Sequence, residues 1–144
     1  MKALFFAAVL APLTFAQAPV AKVHDRSEPV FVALEKALKK NRAEINADDL
    51  EKITELKLPH IHIQSFKDDD FAGLTKLKKL HFYSLLHNQG RPNDPIAINN
   101  EVFARLPNLE ELIMNEQLGL LPDEVFSGLE SLKILDLTNS TAHL

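Results

Sequence analysis

The strongest constraint in this 144-residue chain is an apolar frame that recurs around its phenylalanines. Phe71-x-x-Leu74-x-x-Leu77-x-x-Leu80-x-Phe82 has the spacing of Phe103-x-x-Leu106-x-x-Leu109-x-x-Leu112-x-Met114, and both match Phe126-x-x-Leu129-x-x-Leu132-x-x-Leu135-x-Leu137. A partial earlier copy, Ile53-x-x-Leu56-x-Leu58-x-x-Ile61-x-Ile63-x-x-Phe66, reaches Phe71 in register. Units therefore start near Ile53, Leu77, Leu109 and Leu132, at intervals of 24, 32 and 23 residues. Such a period marks an array in which each unit buries its apolar face only against its neighbours. Within each unit the L-x-L pair projects two side chains to one side of an extended segment, which predicts a short strand.

A unit of about 20 to 29 residues carrying L-x-x-L-x-L resembles the leucine-rich repeat. The chain is similar to that family from Ile53 to its end, and most closely over Leu118-x-x-Leu121-Pro122-x-x-x-Phe126-x-x-Leu129-x-x-Leu132-x-x-Leu135-x-Leu137. That stretch looks like the type common in extracellular members. The resemblance implies an α/β solenoid, with short parallel strands forming a curved sheet and a helical cap before it. Leu121 and Phe126 would fill the far side of a turn, while Leu129 and Leu132 would lead into the next strand.

Two features depart from the family pattern. The ninth position of a unit normally holds Asn or a small polar residue that satisfies backbone groups buried at the turn. Here the frame places Ile61, Leu85, Gln117 and Ser140 there, so the first two turns must close differently or use Asn88 in the second. The second unit also carries eight extra residues, within His87-Asn88-Gln89-Gly90-Arg91-Pro92-Asn93-Asp94-Pro95. Its Gly, prolines and Asn-Asp-Pro predict a loop. Insertions in such arrays project from one face, which makes Asn88, Arg91 and Asn93 contact candidates; a solvated bulge is the alternative.

The start of the chain is read separately. Met1-Lys2, an apolar run from Ala3 to Leu13, and the small residues of Thr14-Phe15-Ala16-Gln17-Ala18 form a secretory signal peptide pattern. Cleavage after Ala18 would leave Pro19 beside the cut, so residues 1–16 are taken as the signal. Residues 17–26 read as a mobile leader. Residues 27–52 read as a cap. Val30, Phe31, Leu34, Ala37 and Leu38 recur at helical spacing, Lys36, Lys39 and Lys40 suit a helix C-terminus, and Asn41 is the expected terminator. Asn46 is the expected N-cap of a short turn over 47–52. With no cysteine, the cap is similar to those of exported bacterial members rather than to disulfide-bonded ones. The implied location is secreted or periplasmic.

The residues between the inward strand positions define an outward face, which in this fold is the concave, binding side. They are Lys57, His81, Ile113 and Asp136, flanked by Glu55, Lys79, Glu111 and Ile134 and by Pro59, Tyr83, Asn115 and Thr138. Tyr83 is the best single anchor, being rigid and amphipathic. The binding candidates are Lys57, Lys79, His81, Tyr83, Glu111, Ile113, Asn115 and Asp136.

Chemistry finds less support. His60, His62, His81 and His87 gather near the first two strands, but no second shell for a metal can be named, and exposed histidines are common on polar faces. Asp68-Asp69-Asp70 reads as a solvated group capping the Phe71 turn rather than a cation site. There is no G-x-S-x-G, no thiol, and four glycines cannot supply a phosphate-binding cluster. No catalytic residue, metal ligand or cofactor is assigned. A net charge of −4 offers no basic footprint for nucleic acid, and past the signal no apolar run nears the ~18 residues of a membrane span.

The expectation is thus a noncatalytic module that binds a protein or peptide. The alternative is an assembly piece, because only residues 139–144 follow the last strand and would leave its edge uncapped. Self-association through that edge, or a fragment of a longer array, fits the same ending. A histidine-cluster metal protein ranks below both.

Overall fold

The computed structural model describes residues 25–59, 65–82, 98–114 and 121–138. The signal peptide, most of the leader, His60, His62, Tyr83, His87, Asn115, the 87–95 insertion and the four ninth positions lie outside them.

Four strands form one parallel sheet of order β1-β2-β3-β4: β1 Glu55–Leu58, β2 Lys79–Phe82, β3 Glu111–Met114 and β4 Ile134–Asp136. A parallel sheet with a helix against it makes the fold α/β. The leucine frame sets the register: Leu56 pairs with Leu80, Leu80 with Leu112 and Leu112 with Leu135. Each strand after β1 is entered in the same way. The N–H groups of Lys78 and Lys79 donate to the Thr54 carbonyl, those of Glu110 and Glu111 to Lys78, and those of Lys133 and Ile134 to Glu110.

The turn before each of the last three strands is likewise copied. Leu74 N–H donates to Phe71 and Leu77 N–H to Leu74; Leu106, Leu109, Leu129 and Leu132 repeat those bonds around Phe103 and Phe126. This accounts for the x-x spacing, since a bond from residue i+3 back to i brings every third side chain onto one side. The phenylalanines then meet in a row. Phe71 and Phe103 stack at 6.2 Å, Phe103 and Phe126 stack at 6.3 Å, and Phe82 stands edge-on to Phe71 and Phe103. With Leu74, Leu77, Leu106 and Leu109 they form a continuous core under the sheet.

Helix α1, Glu28–Leu38, closes the β1 side, burying Val30, Phe31, Ala33 and Leu34. Pro29 in its first turn needs no carbonyl acceptor. Two details differ from the sequence expectation. Ala37 is exposed, and Ala33 takes the buried place. Termination falls at Lys39, left-handed at φ 53°, rather than at Asn41, which caps the following 3₁₀ turn Arg42–Glu44 through Ala43 N–H. Asn46 caps α2, Ala47–Leu50, in a reciprocal box: Asn46 Oδ1 accepts from Asp49 N–H at 3.1 Å, and Asp49 Oδ2 accepts from Asn46 N–H at 3.2 Å. The buried Asp49 carboxylate also takes Lys40 Nζ at 2.7 Å and Lys52 Nζ at 3.1 Å, and is held down at a pKa of about 2, chiefly by Lys40.

The leader and the acidic run need correcting. Arg26, placed by sequence in a mobile leader, is buried, and its guanidinium donates to the carbonyls of Asp69, Asp70 and Ala72. Burial lowers its pKa, opposed by the charges of Asp70 and Asp69. Asp70, read as solvated, is fully buried; it accepts from Ser27 N–H and, at 2.9 Å, from Lys67 N–H. Asp25 adds an ion pair to Lys67 at 2.8 Å. The turn at 67–72 thus holds the entry to α1, its backbone carbonyls receiving the guanidinium where solvent was expected.

Candidate binding face

The outward positions of the strands fall into columns. Lys57 stands beside His81, His81 beside Ile113 and Ile113 beside Asp136; Glu55, Lys79, Glu111 and Ile134 form the next column. The alternation of a strand makes this face the necessary complement of the buried leucines. Sequence reasoning therefore brings together the six candidates lying on described strands: Lys57, Lys79, His81, Glu111, Ile113 and Asp136. Tyr83 and Asn115, with Asn88, Arg91 and Asn93, fall outside the described residues.

Charge on the face is organised in ion pairs. Lys57 Nζ lies 2.7 Å from Glu55, and Lys79 Nζ 2.9 Å from Glu111. The Glu55 carboxyl is held below its ordinary range first by Lys57, and that of Glu111 first by Lys79; the Lys79 ammonium is correspondingly pushed up by Glu111. Asp136 is held low by its bonds from the Thr138 hydroxyl and N–H. One row toward the strand starts, Glu110 joins Lys78 at 3.0 Å and Lys133 at 2.7 Å across three strands and is lowered to about 2, first by Lys133.

His81 departs from expectation. It was read as an exposed residue of the face, yet it is 7% exposed and its Nε2 lies 2.9 Å from Glu111 Oε1. His81 stands in register between Lys57 and Ile113, and Glu111 satisfies one ring nitrogen, so His81 supports the face more than it presents to solvent. Among the described residues no three His, Cys, Asp or Glu side chains converge as a metal site.

The sequence reading missed one feature beside this face. Between α1 and β1 lies a cleft of about 300 Å³, lined by Ala33, Lys36, Ala37, Glu55 and Lys57. The signal for it was the Ala33/Ala37 pair at i, i+4, which leaves room where larger residues would fill the helix–strand junction. No family model matches the chain, and no curated protein matches it. No helix among the described residues is long and apolar enough to cross a membrane.

Proposed function

We propose that the chain is an exported, noncatalytic leucine-rich-repeat module of solenoid type that binds a protein or peptide on the outward face of its sheet. The observation that carries this reading is the registered pair of columns: invariantly buried leucines beneath β1 to β3, and above them a polar, ion-paired surface interrupted by half-buried Ile113. A surface of fixed side chains with an apolar centre and charged margins is suited to a macromolecular partner. Export is supported by the signal pattern at 1–16, and the cysteine-free cap suits a bacterial periplasmic or secreted protein. Photo-crosslinking from position 113 or 79 in the producing cell tests the reading. It should capture a discrete partner, lost in Ile113→Glu and Lys79→Glu and kept in Lys76→Glu, an exposed turn residue; absence of any adduct at both positions defeats it.

A second reading has its own observation. Ile134 and Leu135 are 51% and 42% exposed on the outermost strand. They favour an assembly role in which β4 pairs with another chain. Sedimentation should then show association that Leu135→Lys removes; a monomer at high concentration with intact Leu135 excludes self-association.

A further inference from the structure

We propose that the cleft between α1 and β1 is a subsite for a glutamate side chain of an extended peptide crossing the sheet face. This rests on the reading of that face as a peptide-binding surface, and it adds the chemistry of one partner residue.

Size, lining and charge each narrow the occupant. At about 300 Å³ the space is at the lower limit of ligand pockets, suited to one long side chain rather than a cofactor. Ala37 offers an exposed methyl group along one wall, against which the methylenes of a glutamate can lie, with buried Ala33 at its base. Lys36 and Lys57 line it with ammonium groups, and Lys57 is engaged by Glu55 at 2.7 Å. Lys36 has no ion-pair partner among the described residues. An incoming carboxylate would therefore pair with the Lys36 ammonium, beside the Lys57–Glu55 pair.

Position supplies the peptide. Lys57 belongs both to the cleft and to the column that continues through His81 and Ile113. Strands lie about 4.8 Å apart, so a pentapeptide extended across them spans about three strands. Such a peptide would seat one residue in the cleft and its others over β2 and β3.

The test is a nitrogen-15 NMR titration of the full chain with capped peptides Ac-X-Ala-Ala-Ala-Ala-NH₂, X being Glu, Gln or Lys, and with N-acetylglutamate. The Glu peptide should shift the amides of Ala33, Lys36, Ala37 and Glu55 together with those of His81 and Ile113. It should bind about tenfold more tightly than the Gln peptide, and Lys36→Gln and Lys57→Gln should each weaken it about threefold, as for solvent-accessible charge pairs. Equal binding of the Glu and Gln peptides overturns the proposal. Equal binding of N-acetylglutamate also overturns it, because the site would then take a free acid. Shifts at His81 and Ile113 without any in the cleft overturn the subsite and leave the binding face standing; no shift anywhere with any peptide overturns both.

Discussion

β1 and β4 hold the two outer places of one sheet, yet Leu56 is 1% exposed and Leu135, which continues its leucine column, is 42% exposed. The residue type is the same and so is the register. The difference is what lies beyond each strand. On the β1 side α1 packs against the sheet, α2 is boxed by Asn46 and Asp49, and Arg26 and Asp70 tie the helix entry to the 67–72 turn. Among the described residues nothing comparable stands beyond β4. Burial in this sheet is a property of neighbours, not of the leucine, so stability should be graded from the β1 side toward β4.

Truncations along the column are the most direct way to break this comparison. Leu80→Ala and Leu112→Ala remove fully buried side chains and should each cost about 3 kcal/mol, whereas Leu135→Ala should cost less than about 1 kcal/mol. Urea denaturation of the three variants measures it. Equal costs would mean that β4 is covered in solution, which would itself support pairing of that edge.

The clamp at the covered end comes next. Arg26→Ala strands the buried carbonyls of Asp70 and Ala72, with that of Asp69 beside them, and should cost about 2 kcal/mol. Hydrogen exchange should quicken in α1 far more than in β3, because Ser27 and Asp70 share the clamp. Asn46→Ala should cost about 1 kcal/mol, measured the same way, because it removes only one half of a capping box.

These elements also separate what the sequence could disclose from what it could not. The strand register was legible because it repeats: four leucines recurring behind fixed spacers can only stack in one alignment without turning apolar faces outward. The Asn46 cap was legible because its partner is three residues away. Arg26 was not, since one guanidinium reaching backbone carbonyls more than forty residues on has no period and no local partner. Asp70 was misread for a related reason: its two acidic neighbours are exposed, and sequence gives the three no distinguishing mark. On the face, the columns followed from the period, but the burial of His81 depends on the Glu111 carboxylate from the adjacent strand, and the cleft on the absence of bulk at two alanines.

The smallest effect separates the covered end from the middle of the sheet by acid. Asp49, near the covered end, and Glu110, at the centre of the sheet, both have carboxyls lowered to about 2. A depressed native pKa means that the folded state releases a proton more readily than the unfolded chain. Each group therefore contributes stability above the ordinary carboxylate range of about 4, and that contribution fades as the pH falls toward 2. Their settings differ, with side-chain exposure 3% for Asp49 and 32% for Glu110. Salt at 0.5 M screens an open Lys–Glu–Lys row far better than a carboxylate shielded inside a capping box. Thermal melts from pH 5 to 2 should therefore show a slope that salt reduces in the wild type, reduces little in Glu110→Gln, and reduces strongly in Asp49→Asn, where only the exposed row remains. A salt response unchanged by Glu110→Gln would place the salt-sensitive part of the slope elsewhere than in Glu110.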